Sequence, residues 1–213
     1  NELSYLILQI LRTLHETHPR LNVRINENTP ADLLNLVVTM WSEGLSDPTV
    51  SSDKTVIEGL MEYGVPVEDA RDFTILGCQE VEIPGKSNFG CEDGVFNLAK
   101  VLEYTLNNGK DRFNGIKVGL DAGNLTTYKT FDELWNAFEE QIKYFVPIFV
   151  DLCNRGVDIR VANVSKLVKS TMTEACIERG LNLDDGGSIY NYGVVETAGH
   201  GAVGDSLYAV KTL

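Results

Sequence analysis

Residues 74–97 read TILGCQEVEIPGKSNFGCEDGVFN, and this stretch concentrates the chemistry of the chain. An apolar run leads through Gly77 to a thiol, Cys78, and then to a carboxylate, Glu80, two positions later. If the backbone is extended here, Cys78 and Glu80 lie on one face, because successive residues of a strand alternate between faces. The spacing then places a thiol beside a base.

The composition limits the kinds of partner that the protein can bind. A chain of 213 residues with 43% hydrophobic and 23% charged residues is long enough to bury a sizeable core. The formal charge of −13 comes from 31 acidic and 18 basic side chains, with no run of Lys or Arg. Nucleic acids and anionic membranes are therefore poor partners.

The cysteines indicate a reducing compartment. Cys78, Cys91, Cys153 and Cys176 include no C-x-x-C pair, so we expect reduced thiols in the cytoplasm. A zinc site can be drawn from Cys78, Cys91 and His200, but its spacing matches no structural zinc pattern, and no metal is assigned. We expect no signal peptide, and the longest apolar run is too short to span a membrane.

The first half of the chain alternates strands with helices, which predicts an α/β fold. We expect a first helix from residue 3 to about residue 15 and a strand at 22–26. A helix at 30–44 is capped by the Thr29 hydroxyl, and a further helix is capped by Asp53. A helical turn at 66–71 then leads into a strand at 73–76.

The second half predicts more helix than strand. The expected elements are a helix at 94–108 with a left-handed end at Asn108-Gly109, a strand at 115–121, a long helix from the capping box at 130–133 to Gly156, a helix at 164–179 and a helix from Asp205 onward. Aromatic residues of the long helix recur at helical spacing, which favours core packing over base stacking. Apolar helical patterns at both ends predict that residues 1–213 form one internal segment of a larger protein.

Several motifs resemble the active-site region of the glycyl radical enzymes, and are most similar to the dehydratase and lyase branch of the pyruvate formate-lyase family. They are Gly77-Cys78-x-Glu80, Pro84-Gly85-Lys86 and the run FNLAKVLEYTLNNG at 96–109. The same order of motifs includes GVPVEDARD at 64–72, and Gly186-Gly187-x-x-Tyr190-Asn191 ahead of a glycine-rich turn into Asp205-Ser206-Leu207. The resemblance extends from about Pro30 to the end of the chain.

The resemblance implies a fold and a reaction. The segment would form about half of a ten-stranded α/β barrel, with Cys78 as the thiyl-radical cysteine and Glu80 as the general base. The parent enzyme would eliminate water or another leaving group from a small hydroxylated substrate. Glu92 occupies the position of a further family acid, and Glu92, Asp93 and Tyr190 are the candidate substrate-binding residues.

Two departures from the family pattern bear on the reaction. The family places Trp-His before the further acid, whereas Gly90-Cys91 stands here, which indicates a substrate other than glycerol or choline. Pyruvate formate-lyase uses two adjacent cysteines, and Gln79 follows Cys78 here, which argues against the acetyltransferase reaction. Glu92 and Asp93 also have an explanation that involves no substrate. They precede the helix predicted at 94–108, and carboxylates stabilise a helix N-terminus.

The resemblance also implies a cofactor and partners. In this family a glycyl radical lies in a C-terminal Arg-Val-x-Gly-Tyr loop, and these 213 residues contain no such motif. We therefore expect no cofactor in the segment, no activity from the isolated segment, and a parent radical installed by a separate S-adenosylmethionine and iron-sulfur activating enzyme. The full-length protein is expected to be an oxygen-sensitive cytoplasmic homodimer of anaerobic metabolism.

Other functions stay open at this point. Within the same family, the parent could be a radical decarboxylase or a formate acetyltransferase-like enzyme. Outside it, the segment could be a non-catalytic binding or scaffold domain in which Cys78 is buried and inert. A cysteine hydrolase would need a histidine partner for Cys78, and only His200 lies in a suitable loop.

Overall fold

The computed structural model describes residues 2–16, 18–77, 79–88 and 93–212. Helices and short strands alternate along the chain. In order they are α1 (Glu2–Leu14), β1 (Asn22–Ile25), α2 (Ala31–Ser42), β2 (Thr49–Ser52), α3 (Asp53–Glu62), α4 (Val67–Arg71), β3 (Thr74–Leu76), β4 (Glu80–Glu82), β5 (Ser87–Asn88), β6 (Gly94–Asn97), α5 (Leu98–Leu106), α6 (Phe131–Asn163), α7 (Leu167–Thr171), α8 (Cys176–Arg179), a 3-10 turn (Leu183–Asp185), β7 (Tyr190–Asn191), β8 (Val195–Ala198) and α9 (His200–Thr212). The predicted α/β class is confirmed, and the described strands form short pairs without a closed barrel.

The first of two compact units comprises the described residues of 1–89, 172–175 and 188–190. Strands β1 and β2 pair in parallel, and β3 and β4 form an antiparallel hairpin. Helices α1 and α2 supply its buried apolar cluster of Leu8, Leu11, Leu33, Val37 and Met40. Three of these five residues, Leu33, Val37 and Met40, recur at helical spacing along α2, so that helix is held by its buried face.

The second unit comprises the described residues of 90–171, 176–187 and 191–213. Strands β6 and β8 pair in parallel, and α5, α6 and α9 pack together. Their buried cluster consists of Phe96, Val101, Leu102, Leu134, Phe138, Val203 and Leu207. The aromatic residues Phe131, Phe145 and Phe149 of α6 pack against it, which confirms the prediction that this stripe belongs to the core.

Several predicted helix boundaries are confirmed by their hydrogen bonds. The Thr130 hydroxyl accepts the backbone N–H of Glu133 at 3.2 Å, and the Glu133 carboxylate accepts the N–H of Lys129 at 2.7 Å. After α5, Asn108 and Gly109 both have positive φ, at 55° and 73°, as a left-handed helix end requires.

The two predicted caps in the first unit are wrong. Pro30 is the N-cap of α2 and offers no side-chain acceptor, while the Thr29 hydroxyl accepts the N–H of Asn26 at 2.9 Å instead. Ser52 caps α3 by accepting the N–H of Thr55 at 3.4 Å. Asp53 is the first helical residue, and its carboxylate binds Arg24. In each case a nearby polar group competes for the side chain that the local pattern assigns to the cap.

The predicted helix at 94–108 begins four residues too early. Residues Gly94–Asn97 form strand β6, which pairs in parallel with Val195–Ala198. The helix starts at Leu98, where the Asn97 side chain accepts the N–H of Lys100 at 3.0 Å. Val and Phe favour strands, and pairing with β8 overrides the helical periodicity of the segment.

The strand predicted at 115–121 is absent from the described structure. The backbone N–H groups of Val118 and Gly119 both donate to the carbonyl of Gly109, at 2.9 Å each, and Lys117 forms only an isolated bridge with Lys110. The segment therefore folds back on the end of α5 as a loop.

Three helix boundaries in the second half also differ from the prediction. Helix α6 was predicted to end at Gly156 but continues to Asn163. Gly156 does not have a positive φ and is part of the helix. The helix predicted at 164–179 is divided into α7 and α8, and Ala175 adopts a left-handed φ of 73° between them. Helix α9 starts at His200 and not at Asp205.

Candidate active site

The turn between β3 and β4 carries the predicted catalytic pair. Leu76 pairs with Glu80 across the hairpin, and the N–H of Gln79 donates to the carbonyl of Leu76 at 3.3 Å. Gly77 and Gln79 have φ of 53° and 136°. The described residues on either side of position 78 therefore form a turn and do not continue one extended strand. Cys78 lies outside the described residues.

The Glu80 carboxylate is buried against the main chain of this turn. Glu80 is 7% exposed, and its Oε2 accepts the N–H of Gln79 at 3.0 Å. A Cβ on Gly77 would lie 3.0 and 3.1 Å from the two carboxylate oxygens, so a larger residue would press on the carboxylate as well as strain the positive φ of 53°. No basic side chain in the described part of the chain pairs with Glu80, which leaves the carboxylate available to accept a proton.

Backbone strain marks the same turn. Gln79 is a non-glycine residue with a φ of 136°, a region that residues with a Cβ rarely adopt. Conformations of this kind typically cost about 1–3 kcal/mol, and they concentrate at active sites. The strain falls on the residue between Cys78 and Glu80.

A cluster of three polar residues, Asp69, Lys86 and Tyr190, lies beside the hairpin in the first unit. Lys86 Nζ lies 2.6 Å from Asp69 Oδ1, and the Tyr190 hydroxyl donates to Asp69 Oδ2 at 2.6 Å. The hydrogen bond from Lys86, and then that from Tyr190, lowers the pKa of Asp69 below its ordinary value. The same contact with Asp69 raises the pKa of Lys86. We call these residues the Asp69–Lys86–Tyr190 cluster.

The turn that contains Lys86 is tightly bonded. Ser87 is 2% exposed, and its hydroxyl accepts the N–H of Ile83 and donates to the Ile83 carbonyl, both at 2.9 Å. The N–H of Glu174 donates to the carbonyl of Gly85 at 2.7 Å. These bonds hold the chain in place directly after β4.

Arg24 fixes the chain at the start of β3, which lies at the open end of the hairpin. Its Nε donates to Asp53 at 2.7 Å, and its two terminal nitrogens donate to the carbonyls of Phe73 and Arg71 at 2.8 and 3.1 Å. The guanidinium carbon also lies 3.8 Å from the centre of the Phe73 ring. Arg24 thus divides its donors between the Asp53 carboxylate and the backbone that leads into β3.

Asp93 belongs to the second unit and is held by an ion pair. Its side chain is 5% exposed, and Oδ1 lies 2.6 Å from Arg160 Nη2. Oδ2 accepts the N–H of Val194 at 2.9 Å, and the N–H of Asp93 donates to the Val194 carbonyl at 2.7 Å. Because β6 follows Asp93, the helix-terminus explanation for this acid is wrong. Glu92 lies outside the described residues.

Close packing follows Asp93 in the chain. A Cβ on Gly94 would lie 2.7 Å from the Phe149 ring and 2.8 Å from Cys153 Sγ, so a larger residue would have no room. Burial, and next the charge of Asp93, raises the pKa of the Cys153 thiol. This thiol is therefore protonated and unreactive at neutral pH.

The other predicted features can be compared with the described residues. No group of three or more His, Cys, Asp or Glu within them could hold a metal ion, and Cys78 and Cys91 of the zinc alternative fall outside them. His200, the histidine considered for a hydrolase, lies 2.6 Å from the Thr197 hydroxyl. No helix in the described ranges is long and apolar enough to cross a membrane.

The sequence prediction missed residues that hold the site together. Asp69 and Lys86 lie in motifs that were recognised, but the motifs gave no indication that the two side chains meet. Arg24 is a polar residue in an alternating strand, a position that normally faces solvent. Arg160 lies in a long helix, and no local pattern marks it as the partner of Asp93.

The comparisons with known proteins identify the family. The family model for pyruvate formate lyase-like proteins, PFL-like, matches residues 1–213. The chain therefore belongs to this family, as the motifs predicted, and its relatives are glycyl radical dehydratases and lyases. It is 31% identical over 211 residues to trans-4-hydroxy-L-proline dehydratase of Clostridioides difficile, covering 99% of this chain and 27% of the relative. It is 32% identical to (2S)-3-sulfopropanediol dehydratase of Klebsiella oxytoca, covering 100% and 26%.

A solved structure agrees with the sequence comparisons. The glycerol-bound form of the B12-independent glycerol dehydratase from Clostridium butyricum matches with a TM-score of 0.81 and 34% identity. The match covers 99% of this chain and 27% of that structure. The chain thus spans about a quarter of the length of these relatives.

Proposed function

We propose that the chain is a segment of a glycyl radical dehydratase or lyase, with Cys78 as the thiyl-radical cysteine and Glu80 as the general base. The observation that carries this proposal is the Glu80 carboxylate, which is 7% exposed, has no basic partner among the described residues and lies two positions from Cys78 in a strained turn. A buried carboxylate without an ion partner costs stability, and sites of this kind are typical of catalytic groups.

The fold proposed for the parent enzyme is a ten-stranded α/β barrel, of which this chain would supply about half. The parallel pairs β1–β2 and β6–β8 support it, because two-stranded parallel sheets have unpaired edges and require further strands for stability. A closed barrel also suits radical chemistry, since it keeps the reacting atoms away from water and oxygen.

The reaction begins with a hydrogen-atom transfer. The Cys78 sulfur radical takes a hydrogen atom from a substrate carbon that bears a hydroxyl, so an S–H bond forms and a carbon radical remains. The parent's glycyl radical supplies the unpaired electron that Cys78 carries. The leaving group is on the carbon next to the radical carbon. The bond to it must be aligned with the orbital that holds the unpaired electron.

The elimination depends on Glu80. Its carboxylate takes the proton of the hydroxyl on the radical carbon, and a carbonyl begins to form there as the adjacent bond to the leaving group breaks. In a dehydration the leaving hydroxide takes the proton that Glu80 has accepted and departs as water, which returns Glu80 to its carboxylate form. The product radical then takes the hydrogen atom back from Cys78, which regenerates the sulfur radical. A general base must lie within hydrogen-bond reach of the proton it accepts.

The proposed substrate is a small hydroxylated molecule. The relatives that support this include dehydratases of trans-4-hydroxy-L-proline, of (2S)-3-sulfopropanediol and of glycerol. Glu92, Asp93 and Tyr190 are the proposed residues near the substrate. Of the two acids, Glu92 is the better direct contact, because both oxygens of Asp93 already accept bonds from Arg160 and Val194.

The partners proposed for the parent follow from its class. A separate S-adenosylmethionine and iron-sulfur enzyme would install the glycyl radical, and the parent would act as a cytoplasmic homodimer. Family membership supports the activating enzyme.

The test uses the full-length enzyme, activated without oxygen. We expect an organic radical by electron paramagnetic resonance, and dehydration of at least one compound in a panel of glycerol, 1,2-propanediol, trans-4-hydroxy-L-proline and 2,3-dihydroxypropane-1-sulfonate. Cys78→Ser should keep the glycyl radical but lose turnover, while Cys153→Ser, at a buried thiol, should retain it. Turnover by Cys78→Ser, or the absence of a radical from the activated wild type, would contradict the proposal.

A further inference from the structure

We propose that the Asp69–Lys86–Tyr190 cluster is a positioning device that holds the hairpin bearing Glu80, and that the Tyr190 hydroxyl acts through Asp69 and not on the substrate. This inference rests on the proposed function, because it concerns the placement of the base in that reaction. It changes the role expected for Tyr190 from substrate contact to positioning residue.

The ion pair in the cluster closes the hairpin at its open end. Asp69 lies on α4, directly before β3, and Lys86 lies in the turn directly after β4. Their contact of 2.6 Å therefore joins the chain that enters the hairpin to the chain that leaves it. The strands between them are only three residues each, so few ladder hydrogen bonds hold Glu80 in place.

Tyr190 binds both members of this ion pair. Its backbone N–H donates to the Lys86 carbonyl at 3.0 Å, and its hydroxyl donates to Asp69 Oδ2 at 2.6 Å. The backbone contact fixes the turn after β4, and the side-chain contact fixes α4. One residue from a distant part of the chain thus binds both the segment that enters the hairpin and the segment that leaves it.

The direction of the hydrogen bond favours the positioning role for Tyr190. A phenol hydroxyl has one proton, and here it is donated to a carboxylate, an acceptor that forms charge-assisted and short bonds. A substrate oxygen could receive this proton only if the bond to Asp69 broke. In that case Asp69 would lose the hydrogen bond from Tyr190, and its ion pair with Lys86 would remain.

Loss of a contact in the cluster should lower kcat, the rate constant of the substrate-bound enzyme. Displacement of a catalytic group by about 1 Å can lower a rate about a hundredfold, even when the change lies away from the chemistry. Loosening one anchor of the hairpin should displace Glu80 by less than this. We therefore expect a loss of kcat of about tenfold, with KM changed less than about twofold.

The experiment measures kcat and KM for three variants of the activated full-length enzyme. Tyr190→Phe removes the hydroxyl, Asp69→Asn removes the charge, and the double variant removes both. Because the two residues act as one unit, the double variant should be no slower than the slower single variant. Tyr208→Phe, at a tyrosine that is 71% exposed on α9, is the matched control and should keep the wild-type constants.

A substrate contact would give a different pattern. If Tyr190→Phe raised KM at unchanged kcat while Asp69→Asn behaved like the wild type, Tyr190 would bind substrate and the inference would be wrong. Additive losses in the double variant would also overturn it, since independent residues add.

A second measurement does not depend on turnover. Hydrogen exchange of the amides at 74–82 should be faster in Tyr190→Phe and in Lys86→Met than in wild type, while exchange in α6 stays unchanged. Unchanged exchange at 74–82 would overturn the positioning role. If the activated wild type showed neither radical nor turnover, the proposed function would fail, and the exchange data would still decide whether the cluster holds the hairpin.

Discussion

The hairpin that carries Glu80 and the segment that begins with Asp93 both bury a carboxylate, and they do so differently. Asp93 is held by Arg160 at 2.6 Å and by the N–H of Val194, so its charge is matched. Glu80 accepts only the N–H of Gln79 in the described structure and has no cationic partner there. The two residues stand thirteen positions apart in sequence, and neither local sequence predicts this difference.

The comparison distinguishes Asp93, whose charge is matched by a cation, from Glu80, to which we assign a role in the reaction. A buried ion pair is destabilising to break, because the remaining charge is left without a partner. A buried carboxylate without a counter-ion lowers stability from the start, and the role proposed for Glu80 in the reaction would account for this cost. We therefore expect substitutions at Asp93 and Arg160 to affect folding first, and substitution at Glu80 to affect turnover first.

The largest expected effect is that of Glu80→Gln. The amide keeps an acceptor oxygen for the N–H of Gln79 but cannot take a proton, so kcat of the activated full-length enzyme should fall about 10³-fold. The midpoint of urea unfolding should stay unchanged or rise, because no charge is buried. Glu82→Gln, at the next half-buried acid of β4, is the control and should change kcat less than about threefold. Equal losses from both variants would remove the distinction drawn for Glu80.

Arg160→Met should have the next largest effect, and on stability. It leaves the Asp93 carboxylate buried without its cation, which should lower the free energy of unfolding by about 3 kcal/mol. Asp93→Asn should cost less, because the Arg160 side chain is 30% exposed and can be solvated. Urea unfolding of the full-length enzyme measures both. A cost near zero for Arg160→Met would mean that the pair is not structural.

Alkylation compares the reactivity of Cys78, two positions before the hairpin carboxylate in sequence, with that of Cys153 and Cys176 in the second unit. Cys153 and Cys176 are buried, at 9% and 2% exposed, and burial raises the pKa of both thiols. Under native conditions iodoacetamide should modify them at least about tenfold more slowly than after unfolding. The proposed role of Cys78 requires access from a substrate cavity, so Cys78 should react in the native enzyme. Mass spectrometry of the peptides would support the scaffold alternative if Cys78 proved as slow as Cys153.

The smallest expected effect is the pH dependence conferred by Asp69. The bonds from Lys86 and Tyr190 lower the pKa of Asp69, so its contribution to stability is present above the ordinary carboxyl pKa of about 3.9 and is lost as pH falls below it. The stability difference between wild type and Asp69→Asn should thus be largest near neutral pH and shrink below about pH 4. Asp151→Asn, in an exposed pair, should show no such trend. A constant difference for Asp69→Asn would contradict the linkage.

Local signals in the sequence predicted much of the fold. The capping box at Thr130 and Glu133 and the left-handed end at Asn108-Gly109 depend on groups within a few residues, and both occur as predicted. The strand at Gly94–Asn97 was predicted as helix, because its true partner is a strand about a hundred residues later. The apolar residues Val95 and Phe96 of this strand fit the helical spacing of the residues after Leu98. The sequence pattern therefore did not show where the strand ends and the helix begins.

The candidate site divides in the same way. The motif around Glu80 was recognised from adjacent letters, and the family that it indicated is confirmed by the match over residues 1–213. Gly77 and Gln79 have positive φ and do not form an extended strand, and the placement of Cys78 beside Glu80 stays a prediction. A motif specifies which residues are neighbours in sequence and leaves their backbone angles open.

The sequence by itself determined the family, the α/β class and the residue types of the proposed reaction, since these depend on motifs and on periodicities of a few residues. Only the tertiary structure decided which carboxylate has a cation and which does not. Asp69 meets Tyr190 across 121 positions of sequence, and Asp93 meets Arg160 across 67. Contacts of this kind arise when the chain folds and brings distant charges together, and no local pattern encodes them.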